Sequence, residues 1–285
     1  MKHLFASLSC LVFFLSCGLA NAAQPAPAAT PPQQAAQAQQ PQLSPTQAFA
    51  LMAGEAEKGD TQAMLNLGSF YEQGVGVPRN FVKALEWYEK AAKAGLVEGI
   101  YNVGVCYEVG IGNTGDMPKA LKQFEEASAK GLAQADYKLS TLYATGHGVK
   151  ADEAKAFDFL QKAANANLTP AMNDLALVYA RGLMGQKADP AKAFAMFTAS
   201  AEAGNVEAMK NLAVAYKEGV GTKADTVAAL RWVTIAKIAG HPQDLTPIIA
   251  DLKKGLKAAQ IKDAETKAGT WVKAFVEKMQ KEAQN

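Results

Sequence analysis

The chain has 285 residues, 49% of them hydrophobic, with 29 Lys and Arg set against 27 Asp and Glu for a formal net charge of +2. That length suits one large domain or two ordinary ones, and the apolar share is enough for a sizeable core. A balance so close to neutral excludes a polybasic footprint for nucleic acid or a membrane surface, so partners must be sought through shape and local chemistry.

In chain order, the first feature is a stretch from His3 to Gly54 without a single Asp, Glu, Lys or Arg. Within it, Leu4 to Ala20 is continuously apolar or small, after Met1, Lys2 and His3, and Ala20-Asn21-Ala22 follows as an A-x-A pattern. A positive start, a short apolar run and a small-residue exit describe a secretory signal over residues 1–22, cleaved after Ala22. Roughly 17 residues is the low end of a membrane span. Two alternatives stay open. Cys17, within Phe14-Leu15-Ser16-Cys17-Gly18, has the setting of an acylated lipobox cysteine, although Phe14 fits poorly three residues before it, and the segment can also stay as an uncleaved anchor. Export to the periplasm is the expectation, with secretion or outer-membrane lipoprotein attachment as its rivals; a membrane enters only if Cys17 is lipidated. Residues 23–43 are rich in Pro, Gln and Ala, with no charge and no aromatic. They bury too little apolar surface to offset their ordering entropy and read as a flexible, partly polyproline linker.

A period dominates the rest. Leu67, Gly68 and Tyr71 return as Val103, Gly104 and Tyr107, then Leu139, Ser140 and Tyr143, then Leu175, Ala176 and Tyr179, then Leu212, Ala213 and Tyr216, in steps of 36, 36, 36 and 37 residues. A fixed step in this range marks stacked supersecondary units. A second column reads Ser44, Asn80, Asp116, Asp152, Asp189 and Asp225. All are preferred helix N-caps, and Pro45 and Pro190 follow where a missing N–H does no harm. A third reads Gly59, Gly95, Gly131, Asn167, Gly204 and Gly240, residues that adopt the left-handed conformation of a helix end. Between the second and third columns runs a helix, whose inward face in the first full repeat is Ala84, Trp87, Tyr88 and Ala91. A preceding helix runs from about Asp60 to Gln73, and a glycine-bearing turn joins the two. In the fourth copy that turn, Gly182-Leu183-Met184-Gly185, carries one extra residue and accounts for the 37-residue step.

The pattern A-x-x-x-L-G-x-x-Y-x-x-G-x-G-V…D-x-x-K-A-x-x-W/F…A-A-x-x-G resembles the Sel-one-like repeat, a relative of the tetratricopeptide repeat. Ala63 to Gly95 fits nearly every position, and the resemblance spans roughly Gly59 to Gly240. It implies an all-α fold, an α/α right-handed superhelix of five repeats over 60–240 that serves as a protein-binding scaffold. Residues 44–59 then form an N-terminal half-repeat. Residues 241–285 form a C-terminal capping helix pair, with Ile261, Ala264, Ala268, Trp271, Val272, Phe275 and Met279 as its apolar stripe; a docking helix for a partner is the alternative.

No catalytic centre, cofactor or metal site is expected. Gly110-Ile111-Gly112-Asn113-Thr114-Gly115 matches a nucleotide-binding glycine pattern, but it follows a helix and falls in register with the other turns rather than after a strand. His147 and His241 stand in turns, far apart and without metal-ligand neighbours, and each is expected to be solvated. Cys106 is the only cysteine after residue 22, so disulfides do not hold the repeats together. It shares a column with Phe70, Leu142, Val178 and Ala215 and is expected to pack.

By analogy with tetratricopeptide proteins, the first helix of each pair lines the concave face. The variable positions counted from the Leu/Val column give a candidate protein-binding face of Tyr101, Val105, Glu108, Tyr137, Thr141, Asn173, Leu177, Lys210 and Val214. Tyr101 and Tyr137, with Val105 and Thr141 between them, are expected to form an amphipathic shelf for an extended peptide or helix, where an aromatic is worth roughly 2 kcal/mol. The alternative is that both tyrosines pack against the adjacent repeat. The expected function is an exported adaptor or regulator of the bacterial envelope that binds another protein or peptide. Its rivals are an outer-membrane lipoprotein scaffold and a β-lactam-binding hydrolase; the cysteine pairs of such hydrolases are lacking here.

Overall fold

A computed structural model describes residues 43–282, and the leader expected over residues 1–22 and the linker as far as residue 42 lie outside them. Among the described residues there are thirteen α-helices and no strand. Helix α1 (Pro45–Glu57) stands alone, and five antiparallel pairs follow: α2 (Thr61–Gln73) with α3 (Phe81–Lys93), α4 (Val97–Val109) with α5 (Met117–Ala129), α6 (Ala133–Thr145) with α7 (Glu153–Asn165), α8 (Thr169–Arg181) with α9 (Pro190–Glu202), and α10 (Val206–Glu218) with α11 (Thr226–Ile238). The chain then makes short α12 (Thr246–Lys253) and long α13 (Ala258–Glu282), which packs back along α11. Each helix otherwise rests on its chain neighbours, the arrangement of a solenoid.

The capping columns explain the helix ends. Asn80, Asp116, Asp152, Asp189 and Asp225 each accept a hydrogen bond from the backbone N–H three residues on, and Ser44 forms a reciprocal capping box with Gln47. At the other end of these helices every residue of the third column has positive φ, including Asn167 at 61°. The residue after it donates back five positions, as Leu96 N–H does to the Ala91 carbonyl. Helices α4, α6 and α8 lack such a start. They begin after Leu96, Leu132 and Leu168, which make no side-chain cap and are half-buried.

Within a pair, the small column sets the approach of the helices. A Cβ on Gly68 would overlap the Tyr88 ring, and one on Gly104 would lie 2.8 Å from the Phe124 ring. Between repeats, the turns key into the preceding unit: a Cβ on Gly76, Gly112 or Gly221 would run into the backbone carbonyl of Pro45, Phe81 or Pro190. The fourth turn differs, because its extra residue lifts Gly185 clear of any neighbour and puts Met184 at φ 50°.

The inward face of α3 consists of Ala84, Leu85, Tyr88 and Ala91; Trp87, expected there, is only half-buried and instead covers the cluster around Ala56, Ala63 and Leu67. The core is uneven along the array. One cluster runs without a break from Phe157 to Ala268, whereas the residues before it fall into four small ones.

Candidate interaction face

The tyrosine column closes each repeat. The carbonyls of Tyr71, Tyr107, Tyr143, Tyr179 and Tyr216 accept the backbone N–H of Asn80, Asp116, Asp152, Asp189 and Asp225 at 2.7–2.9 Å. This draws the start of the second helix against the end of the first. Of the five rings only Tyr179 is fully buried. In the first four repeats a lysine three residues after the cap lies over the ring: Lys83, Lys119, Lys155 and Lys192, at 5.2, 5.3, 5.0 and 3.8 Å from the centroid.

The expected binding residues divide into two groups. The column two positions before the Leu/Val residue lies on the seam between repeats. Tyr137 donates its hydroxyl to Asp174 Oδ2 of the next repeat at 2.7 Å, and burial, followed by the Asp174 carboxylate, raises the phenol above its ordinary range. Asn173, 6% exposed, donates to Asp174 Oδ1 at 3.2 Å and accepts from Asn211 of the fifth repeat at 2.9 Å. Tyr101 is half-buried with its ring 5.5 Å from that of Phe124, and burial, helped by Glu108, raises its phenol too. Glu108 is paired with Lys138 of the next repeat at 2.6 Å. Lys210 bonds Glu207 within its own helix at 2.6 Å.

The second group, two positions after the Leu/Val residue, faces outward more. Thr141 and Val214 are exposed, while Val105 and Leu177 are half-buried. Val109, one turn beyond Val105, is 60% exposed and extends the same strip. The helical turn brings Val105 and Val109 to one side of α4.

Sequence reasoning passed over the column immediately before the Leu/Val residue: Asn66, Asn102, Lys138, Asp174 and Asn211. Three of these carry the bonds that cross the seam. The signal was available, since an unbroken run of polar residues next to a buried aliphatic column requires partners. His241 is a correction. The expected solvated turn histidine has a side chain only 1% exposed, with Nε2 2.9 Å from Glu207 Oε1 and Nδ1 accepting the Gln243 N–H at 3.1 Å. The turn after α11 folds over the start of α10 and closes the imidazole in. His147 is exposed.

Cys106 is 1% exposed, and burial, with Glu72 and Glu89 adding to it, pushes its thiol up to about 12. At neutral pH such a group is a packed thiol, not a nucleophile. Among the described residues no group of three or more His, Cys, Asp or Glu is placed to hold a metal ion, and no helix is long and apolar enough to cross a membrane.

Comparison with known proteins agrees with this geometry. The Sel1 repeat model matches five times in succession, at residues 61–96, 97–132, 133–168, 169–205 and 206–241. No curated protein matches the chain. Among solved structures, a Sel1 repeat protein from Oxalobacter formigenes is 28% identical with a TM-score of 0.61, over 77% of this chain and 91% of that one. An immunity protein from Pseudomonas aeruginosa is 23% identical with a TM-score of 0.52, over 71% and 77%. A protective antigen of uropathogenic Escherichia coli with the same repeat fold is 22% identical with a TM-score of 0.50, over 81% of this chain and 57% of its own. The last two likenesses concern the fold alone. With five consecutive units matched, each made of a capped helix pair closed by its tyrosine carbonyl, the chain belongs to the Sel1 repeat family.

Proposed function

We propose that this chain is an exported adaptor or regulator of the bacterial envelope that binds a partner polypeptide along the face of its first helices. Sel1 repeat proteins generally mediate protein–protein interactions and are typically non-enzymatic scaffolds. The charge-free, apolar residues 4–20 followed by Ala20-Asn21-Ala22 support export. The observation that carries the binding reading is the division of labour on the first helices. Seam side chains cross-link one repeat to the next, while Val105, Val109, Thr141, Leu177 and Val214 make no hydrogen bond across it and form a mostly apolar strip over four repeats. Partly exposed, mostly aliphatic residues repeated at a fixed step suit the spaced anchors of an extended or helical peptide.

In this reading Tyr101 and Tyr137 frame the strip and hold the register beneath it, so charge introduced on the strip is the cleaner probe. Val109→Asp with Val214→Asp, both exposed, should abolish the crosslinked species captured from the native envelope and leave far-UV circular dichroism and the melting temperature unchanged. Capture that persists in this double variant, with the fold intact, would remove the strip as the binding face.

A further inference from the structure

In the lysine column the fifth repeat departs from the other four. Counting three residues from the cap gives Lys83, Lys119, Lys155 and Lys192, and then Ala228. The tyrosine, the capping residue and the closing backbone bond around those lysines are retained. The Tyr216 carbonyl accepts the Asp225 N–H at 2.8 Å. The ring of Phe194 from the preceding repeat meets Tyr216 edge-on at 5.2 Å, as Phe49 meets Tyr71 and Phe157 meets Tyr179. The Asp225 carboxylate caps Ala228 through one oxygen, as Asp116 caps Lys119 while also pairing with its ammonium at 3.1 Å.

With no lysine over its ring, Tyr216 also lines a cleft of about 560 Å3 beside this position. Its other walls include Asp225 and Val227 at the start of α11 and Leu256 just before α13. An aromatic ring beside a carboxylate attracts a cation, and Val227 and Leu256 give the methylenes of a long stem something to pack on. The positive end of α11 opposes a cation here. The same field acts on Lys83, Lys119, Lys155 and Lys192, which nevertheless lie over their rings. We propose that Tyr216 and Asp225 form a seat for the ammonium group of a lysine side chain supplied by a partner protein. Lys223, on the cleft's rim, is the one cation of this chain among the lining residues, and it competes with the incoming ammonium.

The seat is independent of the apolar strip. Val214 and Tyr216 are two positions apart on α10 and point to nearly opposite sides of it. Titration of 15N-labelled protein with Nα-acetyl-lysine amide tests the proposal. The amides of Asp225, Val227 and Ala228 should shift and approach saturation only at roughly 10–100 mM, as for one cation–π contact helped by a carboxylate. Nα-acetyl-norleucine amide, which has the same stem without the charge, should leave them unmoved. Tyr216→Phe should bind like the parent and Tyr216→Leu roughly two- to five-fold more weakly. Ala228→Lys, which restores the residue of the other four repeats, should fold normally and lose the response. Lys223→Gln should bind as well or better. Shifts of equal size with the norleucine probe, no shifts at all, or a response that survives Ala228→Lys or is undiminished by Tyr216→Leu would each overturn the assignment.

Discussion

The two halves of the solenoid follow the same repeat and are built differently inside. From α7 onward, apolar side chains touch continuously through two repeats and on to α13, and Leu175, Met209, Leu212, Leu230 and Ile235 among them are fully enclosed. Ahead of α7 the buried residues fall into four patches, three of them joined only through half-buried Ala92, Tyr101 and Tyr107. Glycines in the earlier repeats take places that alanines fill later, as at Gly99 against Ala171 and Ala208. Gly68, Gly99 and Gly104 face neighbouring helices without side chains, and Asp136 is buried beside Ser128, whose hydroxyl it accepts at 2.6 Å. A repeat array holds together through its nearest-neighbour interfaces, so an uneven core means uneven cooperativity. Matching consensus columns therefore guarantee the same fold in each unit but not the same stability.

The strongest test of this contrast removes one enclosed leucine from each half. Leu230→Ala should cost about 2–5 kcal/mol and lower hydrogen-exchange protection from α8 through α13. Leu67→Ala removes a side chain of the same size, yet its loss of protection should stop within α1 to α3. Should Leu67→Ala loosen α10 and α11 as much as Leu230→Ala does, the halves are equally coupled and the contrast is wrong. Next in size is Gly68→Ala, which drives a methyl into the Tyr88 ring and should destabilise the first repeat by about 1–3 kcal/mol. Adding Tyr88→Leu should recover much of that, because the third repeat pairs Ser140 with Leu160 at the equivalent positions.

The smallest effect is electrostatic and confined to the second half. Burial pushes the Glu207 carboxyl up, but Lys210 and His241 outweigh it and hold the group below its usual range. A lowered folded value means that the contribution is complete above the ordinary carboxylate range and disappears as pH falls through the lowered value. Glu207→Gln should therefore melt slightly earlier than the parent at pH 7 and together with it below about pH 3. A gap of constant size across that range would show that packing, not charge, is responsible.

Much of the fold was legible from the residues because backbone chemistry advertises itself. A cap needs an oxygen on a short side chain, and a left-handed residue needs glycine or asparagine, so Asp152 and Asn167 declare the two ends of α7 before any contact is known. The interaction face was legible only in outline. The periodicity of α6 places Tyr137 beside the next repeat, but the choice between partner shelf and seam depends on where Asp174 points, and that is fixed by how neighbouring repeats stack. His241 was misjudged for a related reason, since only the path of the chain after α11 brings it onto Glu207. The exceptional Ala228 stood in plain view within a lysine column, yet it gains meaning only once those lysines are seen to lie over tyrosines.

The four-residue turn after α8 carries a consequence for how such an array changes length. Its added residue is absorbed by one left-handed methionine and a final glycine clear of the unit before it, while the Asp189 N–H still reaches the Tyr179 carbonyl at 2.7 Å. Phase is thus kept by the helices and their closing bond, and the turns act as slack. Insertions at this edge reshape a local outline without disturbing the step of any later column, so the loop edge is where such a chain can diversify while its stack stays in time.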